Sequence, residues 1–269
     1  MKDHDIQNLI RKEEKRQQAT LDLIPSENIV SREVLTALGS VLTNKYSEGY
    51  AGKRYYAGNA VVDDVERLAI ERARKVFHLG SHWHVNVQPY SGSPANLAVY
   101  MALLAPGEKV MGMSLPFGGH LTHGWKVSAT GKLYTSVQYT VGRDGLLDFG
   151  AIRRTAQKEK PKMIIAGATA YSRIIDFKKF RKIADAVGAI LLVDMSHFAG
   201  LVAGRVYPSP FPYADIVMTT THKTLRGPRA AIIFSREKYA RAIDRAVFPG
   251  LQGGPHVNQI AAVAIALAE

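Results

Sequence analysis

The chain has 269 residues, 46% of them hydrophobic, enough to bury a sizeable core in one large domain or two small ones. It contains no cysteine, which excludes disulfides, iron-sulfur ligation and thiol catalysis, and its 35 Lys and Arg against 23 Asp and Glu give a net charge of +12 that favours anionic partners. The basic residues are scattered, without a Lys/Arg block or zinc-finger spacing, so nucleic acid is not expected as a partner; the N-terminus lacks a signal-peptide core and the longest apolar run, 260–268, is too short to span a bilayer, so a cytoplasmic location is expected.

In chain order, residues 3–18 read as a highly charged helix serving as an arm, with Ile6, Leu9 and Ile10 on one side. Pro25 interrupts any helix in 21–28, and Ser31 is placed to cap a segment beginning at Arg32. The stretch 44–58 carries four tyrosines, several glycines and a lone Glu48; it fits no amphipathic element and suggests a polar site loop. Helical spacing of Val65, Leu68, Ala69, Val76 and Phe77 predicts a helix over 61–77. Strands are then expected near 84–88, 108–113, 132–138, 162–168, 189–193, 214–218 and 230–234, with helices between several of them. The clearest helix runs over 177–187, with Asp176 as N-cap and Gly188 as its stop. The run 189–193 is apolar on both faces, which belongs to a largely parallel sheet covered by helices on both sides.

Ligands of such sheets bind beyond the carboxyl ends of the strands, and three strand ends carry chemistry. After 84–88 comes Ser91-Gly92-Ser93 before a helix starting near Pro94, hydroxyls and N–H groups suited to a phosphate, although a plain capped turn reads the same way. Val193 delivers Asp194, a buried carboxylate or a helix cap. The turn after 214–218 carries Lys223, flanked by His222, Arg226 and Arg229; taken as cations, these would lower the amine's pKa and make it a nucleophile able to form a Schiff base. By itself the turn reads rather as a basic surface loop, since lysines in loops are mostly solvated. His120 and His123 are three apart, but Gly118, Gly119 and Gly124 argue for a loop without a matching acidic cluster, so no metal is expected. A cradle, a carboxylate and a lysine at three strand ends are what pyridoxal phosphate requires.

Five stretches then carry a resemblance: Lys-Tyr-Ser-Glu-Gly-Tyr-Ala-Gly-Lys-Arg-Tyr-Tyr at 45–56, Gly-Gly-His-Leu-Thr-His-Gly at 118–124, Val-Asp-Met-Ser-His at 193–197, Thr-Thr-Thr-His-Lys-Thr-Leu-Arg-Gly-Pro-Arg at 219–229 and Phe-Pro-Gly-Leu-Gln-Gly-Gly-Pro at 248–255. Together, and in unbroken order, they resemble serine hydroxymethyltransferase. The resemblance implies the large α/β domain of a type I pyridoxal-phosphate transferase and transfer of the serine hydroxymethyl carbon to tetrahydrofolate, giving glycine and 5,10-methylenetetrahydrofolate. It implies Lys223 as the Schiff-base lysine, Asp194 as partner of the pyridine nitrogen, His120 stacked on the ring and His197 near its phenolic oxygen. Ser91, Gly92, Ser93 and His222 would hold the phosphate, with Gly253 and Gly254 supplied by a neighbouring subunit; Thr169 counts among the cofactor contacts and Thr220 among the catalytic residues. Glu48 would shuttle a proton at the substrate hydroxymethyl group, Tyr46 and Tyr56 would position substrate across a dimer interface, Ser26 would meet its carboxylate, and Leu115, Gly119, His120 and Leu121 would form part of the folate surface. Pro94, Tyr90, Pro116, Phe117 and Thr169 depart from the usual pattern.

The resemblance divides the chain into an arm and site loop over 1–56 and a cofactor-binding domain over 57–269. It implies a homodimer or tetramer, and a truncated chain lacking the family's small C-terminal domain, whose arginine pairs with the substrate carboxylate; the isolated chain is expected to be without turnover. A threonine aldolase of the same fold, or a non-catalytic basic binding protein, are the alternative readings.

Overall fold

The computed structural model describes residues 2–269. The chain opens with α1 (His4–Ala19), capped by Asp3 and burying none of its residues, as its charged sequence requires. Then come α2 (Arg32–Leu38), a two-residue hairpin of β1 (Gly49–Tyr50) and β2 (Lys53–Arg54), and α3 (Ala60–Val76). The remainder alternates: β3 (Trp83–Asn86), α4 (Gly92–Leu103), β4 (Lys109–Met113), α5 (Ala129–Leu133), β5 (Thr135–Tyr139), α6 (Phe149–Glu159), β6 (Met163–Gly167), α7 (Phe177–Val187), β7 (Ile190–Asp194), α8 (Ala199–Ala203), β8 (Ile216–Thr220), β9 (Ala231–Arg236), α9 (Glu237–Arg245) and α10 (Val257–Ala266). Among the described residues no helix is long and apolar enough to cross a membrane.

Seven strands form one sheet in the order β3-β9-β8-β7-β6-β4-β5, parallel from β5 through β8, with β9 antiparallel to both β8 and β3. This is the α/β architecture the sequence predicts. Period-two alternation serves both faces at once. Ile164 and Ala166 of β6, with Leu191 and Val193 of β7, join a core that includes Ile152, Phe180 and Val263 from α6, α7 and α10. Met163, Ile165 and Leu192 face the other way, onto Ala95, Val99 and Tyr100 of α4 and Ile243 of α9. With both faces covered, the central strands are apolar up to their carboxyl ends, where Asp194 of β7 and Thr219 and Thr220 of β8 stand. α7 follows its sequence signals: Asp176 accepts from the Lys179 amide, Phe177 and Phe180 are buried, and Gly188 ends the helix in the left-handed conformation.

Three expectations need correction. Residues 132 and 133, expected to open a strand, instead close the helix α5, because the Ser128 side chain accepts the Gly131 amide and nucleates a turn; the strand begins at Thr135. The helix expected near Pro94 begins at Gly92, since proline costs no hydrogen bond within the first turn. The 44–58 stretch, read as an irregular loop, contains the β1–β2 hairpin.

Candidate active site

Chain order in the sheet reverses around β4, whose neighbours are β5 on one side and β6 on the other, and the crevice such a reversal creates opens at the carboxyl ends of the strands. A cleft of about 430 Å³ lies there. β7 ends on Asp194 at its floor. β8 ends on Thr220 and turns through His222 and Lys223 before β9 runs back. The turn is fixed at its base, where Thr221 Oγ1 donates to the Pro228 carbonyl at 2.6 Å and the Gly227 amide donates to the Thr221 carbonyl at 2.7 Å. It is tied to the segment before α2 by Asn28 Nδ2, which donates to the Lys223 carbonyl at 2.9 Å.

The N-terminus of α4 forms another wall. Ser91 occupies the cap position but makes no side-chain cap bond, and Gly92 packs so closely on β8 that a Cβ there would lie 2.6 Å from Thr220 Cγ2. Ser91, Gly92 and Ser93 thus bring unspent donors of a helix N-terminus into the cleft. His120 enters from the segment after β4, whose Gly118 carbonyl accepts the Thr169 amide at 2.7 Å; His120, Thr169, His197 and Ser26 all line the cleft.

Asp194 is buried and accepts four hydrogen bonds. Ser196 donates its amide (3.1 Å) and its hydroxyl (2.6 Å) to Oδ1, while His123 Nε2 (3.0 Å) and Asn96 Nδ2 (3.0 Å) donate to Oδ2. Burial alone would raise the carboxyl; hydrogen bonding by His123, with Ser196 and Asn96, outweighs it and holds the group well below the usual carboxylate range. Burial lowers the Lys223 amine, Arg229 pushes the same way, and Asp194 opposes them. Burial, then the neighbouring cations, brings His222 down to about 4; burial, then Lys223, does the same to His197. His120 is also lowered, first by burial. His222 is therefore neutral at pH 7, and Arg226 points away, donating to the Ile29 carbonyl at 2.8 Å. Of the three cations expected to activate Lys223, only Arg229 acts, and desolvation is the main cause.

The other site residues fall in two further places. Leu115 and Leu121 sit half-buried and exposed on the segment after β4, with Gly119 packed against the Met113 carbonyl. Tyr46, Glu48, Tyr56, Gly253 and Gly254 do not line the cleft; Tyr46 and Tyr56 meet edge-on at 5.6 Å, and a Cβ on Gly253 would stand 3.6 Å from Glu48 Oε1. Tyr90 bridges the groups from the residue before Ser91, donating its hydroxyl to the Gly254 carbonyl at 2.7 Å and stacking on His256 at 4.1 Å. Sequence reasoning missed Asn96, Ser196 and the role of His123. Asn96 lies one turn after Gly92 and Ser196 two residues after Asp194, spacings that carry a signal only once Asp194 is known to be buried. Among the described residues no group of three or more His, Asp or Glu side chains is arranged to hold a metal ion. A second cleft, of about 550 Å³, lies at the opposite strand ends, by Trp83, Arg205 and Arg236; it lacks both a lysine and a carboxylate.

A sequence profile described as serine hydroxymethyltransferase matches residues 1–269. The chain belongs to the serine hydroxymethyltransferase family. Proteins named serine hydroxymethyltransferase from Desulfotalea psychrophila and Acidothermus cellulolyticus are 61% and 60% identical to it, each over 99% of this chain and 62% of its own length. One of that name from Metamycoplasma arthritidis is 58% identical, over 99% of this chain and 63% of its own length. The chain thus spans somewhat under two thirds of the curated relatives it matches, and the family's five motifs all fall within that span.

Proposed function

We propose that this chain carries the cofactor-holding part of a pyridoxal-phosphate-dependent enzyme that moves the serine hydroxymethyl carbon to tetrahydrofolate, leaving glycine and 5,10-methylenetetrahydrofolate. The observation that carries the reading is the convergence, in one cleft, of a desolvated Lys223, an ionised Asp194 and the open N-terminus of α4. The residues present fit the group: Thr220 Oγ1 and His222 Nδ1 are buried polar atoms of cleft-lining residues without a partner among the described residues, and Ser91 makes no side-chain cap bond.

When bound, pyridoxal phosphate supplies an electron sink that allows bonds to the substrate alpha carbon to break. Lys223 is the nucleophile for its aldehyde, favoured because burial lowers the amine and leaves more of it unprotonated. Asp194 holds a proton on the ring nitrogen by remaining an anion. Ser91, Gly92, Ser93 and His222 would hold the phosphate, and His120, His197, Thr169 and Thr220 would be the further residues in contact with the group. Ser26 meets the substrate carboxylate, and Leu115, Gly119 and Leu121 offer part of the folate surface. Glu48 moves the proton at the substrate hydroxymethyl oxygen, with Tyr46 and Tyr56 positioning the substrate. Because these last three sit with Gly253 and Gly254 outside the Lys223 cleft, we assign them to the site of a second copy, giving a homodimer with reciprocal exchange of site residues over the 1–56 arm and loop.

Titration with pyridoxal phosphate followed by borohydride and peptide mapping tests the reading. The expected result is a visible band abolished by reduction and a single adduct on Lys223, absent in Lys223→Ala; an adduct on a different lysine overturns it. Tetrahydrofolate-dependent exchange of the glycine alpha proton, in a protein of the relatives' full length, distinguishes the folate-dependent reaction from a plain aldolase.

A further inference from the structure

We propose that His123 is a positioning residue that fixes the Asp194 carboxylate through an Nε2–H···Oδ2 hydrogen bond in one defined ring tautomer. The inference deepens the proposed function and rests on it for its consequence, but its geometry stands on the chain alone. Both groups are shut away from water, the His123 side chain 1% and the Asp194 side chain 8% exposed, with 3.0 Å between Nε2 and Oδ2. The other ring nitrogen decides the tautomer. His123 Nδ1 accepts the backbone amide of His120 at 3.3 Å, and a nitrogen that accepts an N–H carries no proton of its own, so the ring proton lies on Nε2 and points at Asp194.

The ring has no freedom to leave this arrangement. The His123 carbonyl accepts Gln138 Nε2 at 3.1 Å, and β4 passes so close that a Cβ on Gly112 would lie 3.0 Å from the His123 Cβ. Gly124 then reverses the chain at φ 98°. The same oxygen of Asp194 also accepts from Asn96, whose second amide hydrogen goes to Thr122 Oγ1 at 2.8 Å, and Thr122 Oγ1 in turn meets His120 Nδ1 at 2.8 Å. The carboxylate and the imidazole that lines the cleft thus share one network, anchored below by His123.

Among the four donors to Asp194, the two from Ser196 are local, two residues along the chain, while Asn96 on α4 and His123 after β4 both reach Oδ2 from separate elements. His123 is the one of these two whose donating proton is set from its far side, by the His120 amide on Nδ1. Losing it leaves Oδ2 under-solvated in a dry site, so the carboxylate gains affinity for a proton. That proton is the one the proposed chemistry needs on the cofactor ring. The titratable neighbours are His120 after β4, His197 after β7, Lys223 after β8 and Tyr100 on α4, and none of them donates a hydrogen bond to Asp194.

The test starts without cofactor. In ¹⁵N-histidine-labelled chain at pH 7, His123 is expected to show a protonated Nε2 and a bare Nδ1; a protonated Nδ1 overturns the proposal without any variant being made. In ¹³C-carboxyl-labelled aspartate samples at pH 7, with Asp194→Asn giving the assignment, His123→Leu is expected to shift the Asp194 carboxyl resonance, the mark of one hydrogen bond lost from a buried charge. His123→Gln, which returns an N–H to the same place, restores the wild-type resonance. An Asp194 resonance unmoved in His123→Leu, or a glutamine variant that resonates like leucine, overturns the proposal. If the carboxyl behaves as expected but pyridoxal phosphate does not bind at Lys223, the positioning role stands and the proposed function falls.

Discussion

Replacing Arg54 with methionine tests how the segment carrying Glu48 is held in place. The guanidinium is buried, its side chain 4% exposed, and donates to four acceptors: Asp63 at 2.8 Å, Glu66 at 2.5 Å and the carbonyls of Ser47 and Gly49 at 2.9 and 2.7 Å. Glu66 is equally enclosed and among the described residues is otherwise met only by Gln88 Nε2, at 3.0 and 3.1 Å. Removing the cation leaves a buried carboxylate with one amide for company, a loss of about 3–5 kcal/mol against a total stability of about 5–15 kcal/mol. Burial already raises Glu66 above the ordinary glutamate value, against the pull of Arg54, and without Arg54 it rises further. A carboxyl whose folded value is raised adds stability that is complete below the unfolded value and disappears as pH rises through the folded one. The deficit of Arg54→Met is therefore largest at pH 7 and shrinks toward pH 5. Adding Glu66→Gln removes the stranded charge and should recover at least about 1 kcal/mol. Urea unfolding of the wild type, the single variant and the double variant at pH 7 and pH 5 reads all three quantities. A deficit below about 1 kcal/mol at pH 7, the same deficit at both pH values, or a double variant no better than the single would refute the reasoning.

Asp194→Asn should keep the fold by far-ultraviolet circular dichroism and lose at least about a hundredfold in serine cleavage when a protein of the relatives' full length is assayed, since a neutral amide does not hold the ring proton; near-normal turnover removes Asp194 from the site. His197 and His222 are both brought down to about 4, so the native chain binds fewer protons than the unfolded one below pH 6.5. Stability present above that value is lost as pH falls toward 4, by about 1 kcal/mol for each histidine after allowance for partial exposure, and a His197→Gln/His222→Gln chain should show a flatter urea midpoint between pH 7 and 5. Gly92→Ala places a Cβ against Thr220 at 2.6 Å, and the overpacking should destabilise the chain by about 1–3 kcal/mol in urea and weaken pyridoxal phosphate in titration; unchanged affinity would separate the α4 N-terminus from phosphate binding.

Much of this protein is decided locally and is legible in its sequence. Asp176 and Gly188 bracket α7 because a cap and a left-handed stop act within a few residues, and the apolar runs 163–167 and 189–193 announce buried strands because no exposed strand tolerates two apolar faces. Lys223, Asp194 and Ser91–Ser93 are each readable as residues at strand ends, and the five motifs specify the family. Only the tertiary structure decides how those ends act on one another. That His222 is neutral, that Arg226 turns away to Ile29, and that desolvation governs Lys223 all depend on burial and orientation, which residue type alone does not set. The His123–Asp194 bond joins residues 71 apart in the chain, and its direction comes from a backbone amide on one side of the ring and β4 beneath it. Arg54 likewise reads as one more surface cation until α3 closes two carboxylates over it. Sequence periodicity reports which face of an element is buried; which polar groups share that buried space is settled when the elements pack, because a buried donor or acceptor must find its partner wherever the fold has put one.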